Sequence, residues 1–288
     1  MANRGTLGHS VRASQSLAAL AICLLIFGHI ARAQSPSPTP TTSRANDVAR
    51  LLKELRWSTN EGHEAYLEIK DDTTKRLLTA VDGLIVEMFS PRRTTTVQVK
   101  AGLDALLNHK KGSMQQSVAF QVTLPTGRFL LIGVEIVRGG GAIPEDAISF
   151  RAYREAGEHF QAVADLDYPR DGAPYDSVEI LFSVNAKALS YQPIATQFWF
   201  MAWAMLPGAP PPTATARLLG FDGERFRILW MIDPFVTPDI DKAVEVTQDG
   251  RFTLRRMPDF KGMTVINEQY AVTADGPQKV TEWETERR

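Results

Sequence analysis

The sequence predicts an α+β protein, with a helical segment first and then an antiparallel β-rich body that has room for two tandem four-stranded units. Three observations predict it. Apolar residues recur at helical spacing between residues 45 and 113. From Val118 onward the period switches to two, with turn residues between the alternating runs. One hairpin is also written twice. Phe150 to Asp167 lies over Ala216 to Asp233 at a shift of 66 positions, with identities at Arg151/Arg217, Gly157/Gly223, Glu158/Glu224, Phe160/Phe226 and Asp167/Asp233. Helices followed by strands is the α+β order.

Residues 1–33 read as a secretory signal. A weakly basic start (Arg4, Arg12) leads into an apolar run from Leu17 to Ile30, and Ala31-Arg32-Ala33 has the small-x-small pattern of a cleavage site. That run is 14 residues long, short of the roughly 20 a membrane span needs. Cys23 follows Ile22 rather than a small residue and sits inside the apolar run, which argues against a lipid anchor. No arginine pair precedes the run, so the general secretory route is expected, with a periplasmic or extracellular destination.

Cleavage after Ala33 removes the one cysteine, so neither a disulfide nor a thiol nucleophile is available to the mature chain. Removing Arg4, Arg12 and Arg32 also leaves 29 basic against 33 acidic residues, a formal charge of −4. That balance gives no electrostatic basis for binding nucleic acid, and no span remains to hold the mature chain in a membrane. Its stability must come from burial. A chain 44% apolar has enough material for a large core.

Residues 34–44 are rich in proline, serine and threonine and read as a solvated spacer. Asn46 and Asp47 are placed to cap a first helix whose stripe is Val48, Leu51, Leu52 and Leu55. Leu77, Leu78, Val81, Leu84, Ile85 and Met88 form a second stripe, interrupted by Gly83 and stopped by Pro91. Val97 and Val99 suit either a helix or a short strand. Leu103, Leu106 and Leu107 suit a helix that closes at Lys110, Lys111 and Gly112.

The β region, 114–288, opens with a hairpin from Val118 to Val137 turning at Pro125, Thr126 and Gly127. In the repeated hairpin, Asp222-Gly223 is the dipeptide that two-residue turns favour. The repeat assigns two units, 150–206 and 216–272, each with about four strands. Within the first, Val178 to Val184 and Phe198 to Leu206 are strand candidates. Beyond the second hairpin, strands are expected at Val244 to Thr247, Phe252 to Arg255, Met263 to Val272 and Lys279 to Trp283.

Chemical motifs are sparse. His63, His109 and His159 lie on separate elements without metal-ligand spacing. There is no Gly-x-Ser-x-Gly elbow, no Ser-x-x-Lys and no phosphate-cradling loop, and the glycines at 139–141 precede no helix start. No cofactor is implied. Trp199 and Trp203 share a strand face and are the best candidates for a protein- or glycan-binding platform. The opposite face of that strand is equally apolar, however, which favours burial on both sides. Asp165, Asp167, Asp171 and Asp176 stand at relative positions 1, 3, 7 and 12 of a calcium-like loop. Pro169 and Arg170 occupy places that need a ligand and a glycine, so a solvated turn is the better reading. The expectation is an exported, disulfide-free binding or structural module of the envelope or extracellular space. The competing expectation is a secreted hydrolase using carboxylates or a metal.

Overall fold

The computed structural model describes residues 40–57, 63–107, 117–137, 146–168, 184–189, 196–206, 213–247, 249–258, 262–273 and 275–287. Among the described residues, three helices come first: α1 (Pro40–Trp57), α2 (His63–Met88) and α3 (Thr96–Leu107). Twelve described strands follow, and they form three antiparallel sheets of four. The first sheet holds β1 (Ser117–Leu124), β2 (Gly127–Val137), β3 (Asp146–Ala156) and β4 (His159–Tyr168). The second holds β5 (Val184–Leu189), β6 (Phe198–Leu206), β7 (Thr213–Phe221) and β8 (Phe226–Val236). The third holds β9 (Val244–Val246), β10 (Arg251–Arg256), β11 (Thr264–Thr273) and β12 (Gly276–Glu286). Each sheet is a meander in which strands adjacent in sequence are adjacent in space. The α+β class with a β-rich body is therefore correct.

Three apolar clusters stack these elements into layers. The helical stripes (Val48, Leu52, Leu77, Leu84, Val99, Leu103) pack on Leu130, Ile132, Val134 and Ile136 of β2, with Tyr153 and Phe160 beside them. The other face of the first sheet, with Phe129, Leu131 and Phe150, meets Phe200, Leu219, Phe221 and Phe226 of the second. This middle layer is aromatic: Phe129 and Phe221 meet edge to face at 5.1 Å, and Phe221 and Phe226 are 5.0 Å apart. The second sheet then turns Trp199, Met201, Trp203, Ala216 and Leu218 onto Val244, Phe252 and Leu254 of the third. Strand alternation makes this possible, because each inner strand carries apolar side chains on both faces.

Several local expectations change. The first helix starts at Pro40, inside the stretch read as spacer, and Asn46-Asp47 lies within it rather than capping it. Proline tolerates the first helical turn because its missing N–H has no intrahelical acceptor there. Contact with α2 supports the added turn: Arg44 pairs with Glu87 at 2.5 Å and lies across Gly83, where a Cβ would sit 1.8 Å from Nη1. Gly83 thus earns its place inside a helix by letting that guanidinium cross. Val97 and Val99 belong to α3, where the helix leaves Val97 75% exposed and buries Val99 to 1%. A strand would have put both on one face.

The β7–β8 connection has four residues, 222–225, rather than two. The Asp222 carboxylate accepts N–H bonds from Glu224 at 3.0 Å and Arg225 at 2.9 Å, which closes a wider turn. The segment 150–206 contains the last two strands of the first sheet and the first two of the second, so those limits cut across the sheets. A third four-stranded sheet follows, for which the shift of 66 gave no sign. Most of the Val178–Val184 candidate, the 139–141 glycines and the Lys110–Gly112 cap lie outside the described residues.

Candidate functional site

The two tryptophans singled out by the sequence are interior. Trp199 is 5% exposed and Trp203 3%, both packed between the second and third sheets. Trp203 Nε1 donates to the Ile240 carbonyl at 3.2 Å. Neither can serve as a surface platform. Of the acidic loop, Asp165 is exposed on β4, Asp167 joins a polar network, and Asp171 and Asp176 lie outside the described residues. Among the described residues, no group of three or more His, Cys, Asp or Glu side chains could hold a metal ion.

The network around Asp167 ties α2 to the first sheet. Arg151 Nε and Nη2 donate to the two Asp82 oxygens at 2.7 and 2.9 Å, and Tyr153 donates its hydroxyl to Asp82 at 2.7 Å. Arg151 Nη1 reaches Ser149 Oγ at 3.1 Å and Asp167 at 3.3 Å, while Ser149 donates to Asp167 at 2.5 Å. Burial works against the Arg151 charge, but hydrogen bonds and charge from Asp82 outweigh it and raise its pKa. Burial pushes the Asp167 carboxyl up despite the Ser149 bond and the Arg151 charge. The fully buried Tyr153 phenol is raised well above its usual value by burial, then by the Asp82 charge. One guanidinium thus binds two carboxylates, an arrangement suited to clasping layers together rather than to moving protons.

A shallow groove of about 600 Å³ runs between α1 and α2, lined by Arg44, Asp47, Arg50, Lys75, Arg76 and Thr79. Its arginines are already answered by acids, Arg44 by Glu87, Arg50 by Glu54 and Arg76 by Asp72. It has the character of a solvated, charge-balanced helix surface.

The third sheet is different. Its inner face carries Phe252, Leu254 and Tyr270 toward the second sheet, with Trp230 5.4 Å from Tyr270 and 5.6 Å from Phe252. Glu268 sits beside them, its side chain only 5% exposed, and accepts from Arg256 at 3.0 and 3.1 Å, Tyr270 at 3.2 Å and Lys279 at 3.3 Å. Burial alone would raise its pKa, but the Arg256 hydrogen bonds and charge, then Lys279, pull it below the ordinary glutamate value.

The outer face of this sheet enters none of the three apolar clusters. Arg255, Asn267 and Trp283 form one cross-strand row, and Glu245, Thr253, Gln269 and Thr281 form the next. Arg255 pairs with Glu245 at 2.8 Å, so this face is locally neutral. Trp283 is 42% exposed, and β12 is exposed from Gln278 to Glu286. Sequence alternation could place Trp283 on a strand. It could not show which face turns away from the second sheet, nor that Thr253, Val265 and Asn267 on that face are buried while Trp283 is not.

A comparison with protein-family models gives no match, and neither does a comparison with curated proteins. Among the described residues, no helix is long and apolar enough to cross a membrane.

Proposed function

We propose that the chain is an exported, disulfide-free binding module of the cell envelope or extracellular space, and that it engages a protein or glycan through the open end of its third sheet. The reading of residues 1–33 as a cleaved signal supports export by the general secretory route. The observation that carries the binding role is Trp283, a large aromatic 42% exposed on a strand that is itself exposed along most of its length. An aromatic with one face wet and a row of polar neighbours is a common anchor for recognition.

We read the body as one four-stranded unit used repeatedly. Advancing β1, β3 and β4 by the shift that separates Arg151 from Arg217 brings them onto β5, β7 and β8. Arg217 also occupies the Arg151 place, buried on the β7 face opposite Ala216 and Leu218. In such a stack the terminal unit carries an outward face; on this one Thr253, Val265 and Asn267 of the middle strands are buried, and the exposed aromatic is Trp283 on the edge strand.

The test uses glycan and peptide arrays probed with the mature chain and with Trp283→Ala. Ligands that bind the wild type and are lost by Trp283→Ala, at an unchanged melting temperature, support the reading. Binding that survives Trp283→Ala moves the site elsewhere, and release of cleaved ligand would favour the hydrolase.

A further inference from the structure

We infer that β12 takes up an extended segment carrying alternate basic residues, as a fifth strand of the third sheet. The inference rests on the binding role proposed above and names the partner chemistry.

The other sheet edges are blunted. The β1 edge is engaged by the α3 region, with Ser117 bonded to Asp104 at 2.5 Å and Gln121 to the Thr94 carbonyl at 3.4 Å. β4 lies against α2. β8 contains Pro234 and its pairing with β7 shifts register twice, which spoils it as a template. β5 and β9 are six and three residues long. β12 is 11 residues long, and its one irregularity lies opposite Gln269 and Tyr270, leaving Thr281 to Glu286 in unbroken register.

The direction of its free backbone groups follows from one hydrogen bond. Arg287 N donates to Met263 O at 2.6 Å, which makes those two facing residues a hydrogen-bonded pair. Pairs alternate along an antiparallel ladder, so Thr285/Val265, Trp283/Asn267 and Thr281/Gln269 are also bonded pairs. Glu282, Glu284 and Glu286 therefore turn their N–H and C=O groups away from β11, toward the open edge. All three residues offering main-chain bonds are glutamates, and their side chains share one face. Glu282 is paired with Lys279 at 2.8 Å, while Glu284 and Glu286 are exposed without an ion pair among the described residues. The side chain of Arg287 falls on the opposite face with that of Trp283.

This pattern selects an occupant. An antiparallel second copy centred on Glu284 would set Glu284 against itself and Glu282 against Glu286, so like charges oppose self-pairing. A strand with Lys or Arg at every second position would instead place each cation directly across from a glutamate, about 5.5 Å away at Cα. Its intervening side chains would fall on the Trp283 face, where apolar residues gain most. The favoured segment alternates basic and apolar residues.

Fluorescence anisotropy with labelled Thr-Lys-Val-Lys-Val-Lys-Thr and the full mature chain tests this. Saturable binding is expected, with loss of at least about tenfold in Glu284→Lys, which converts attraction to repulsion at the central pair. Methylating the three lysine amides should abolish binding, because those N–H groups face β12. Methylating the valine amides should leave most of it. Equal binding of the lysine-methylated peptide would reduce the interaction to charge attraction and overturn strand addition. If no peptide binds but array ligands are still lost by Trp283→Ala, this inference falls while the binding role stands; if neither occurs, both fall.

Discussion

Arg151 and Asp82, 69 positions apart, meet through two hydrogen bonds at 2.7 and 2.9 Å and fasten α2 to the face of the first sheet. The Arg151 side chain is only 10% exposed, so its removal strands Asp82 and Asp167 without their common cation. Arg151→Met should therefore lower stability by about 3 kcal/mol. Chemical denaturation measures it. Adding Asp82→Leu should recover much of the loss, since the double variant leaves one fewer unpaired charge, and a simply additive double variant would contradict this account.

The two interior tryptophans make a second test. Trp203 Nε1 has the Ile240 carbonyl at 3.2 Å, whereas Trp199 Nε1 is buried without an acceptor among the described residues. Replacing each by phenylalanine removes similar volume but different hydrogen bonding. Trp203→Phe should cost about 1 kcal/mol more than Trp199→Phe, because only the former loses a hydrogen bond, although the Ile240 carbonyl keeps the Ala243 N–H at 3.2 Å. Thermal melts of the two variants, compared side by side, decide it.

The helices and most strands were legible because their periods, 3.6 and 2, are set by local geometry. The stacking was not. Nothing around Trp199 or Trp203 distinguishes burial between two sheets from display on one, except that the alternate positions are also apolar, and that hint pointed the right way. Trp283 was harder to read. Its neighbours Glu282 and Glu284 make it look like the inward residue of an amphipathic strand, and only the layer order turns it outward. The clasp between Asp82 and Arg151 is a long-range contact, although the Arg151/Arg217 and Asp167/Asp233 identities lay within the repeated hairpin. The Asp222-Gly223 turn departs from its dipeptide preference because the Asp222 carboxylate accepts from two downstream amides, a side-chain bond that the dipeptide alone does not reveal.

The two glycines of the repeated hairpin should differ in their tolerance of alanine. Both have positive φ, +67° at Gly157 and +96° at Gly223. A Cβ on Gly157 would meet nothing within 4 Å, so Gly157→Ala should cost only the backbone term, about 1–2 kcal/mol. A Cβ on Gly223 would lie 2.1 Å from Thr126 Oγ1 in the β1–β2 turn, adding a clash between the first and second sheets. Gly223→Ala should be the more destabilising, and Thr126→Ala should relieve part of the difference. Equal midpoints for the two single variants would remove the contact from the account.

Glu268 gives the acid limb of stability a definite sign. Its carboxylate is almost buried and held by Arg256, Tyr270 and Lys279, with a folded-state pKa below the ordinary value of 4.5. A lowered pKa means that the unfolded chain binds the proton more readily. The stabilisation is thus fully present above about pH 4.5 and is lost as pH falls through the lower folded value. Asp167 acts in the opposite sense: its raised pKa contributes stability at low pH that is lost as pH rises through the folded value. Glu268→Gln should cost about 2 kcal/mol near neutrality, since it removes charge-assisted bonds to two cations. The gap between wild type and variant should close on acidification below pH 4.5. Asp167→Asn should instead differ least from wild type at the acid end. Urea midpoints taken across that range for both variants separate the two carboxyls, and a Glu268→Gln gap that stays constant with pH would show that the carboxylate charge contributes nothing to holding the third sheet.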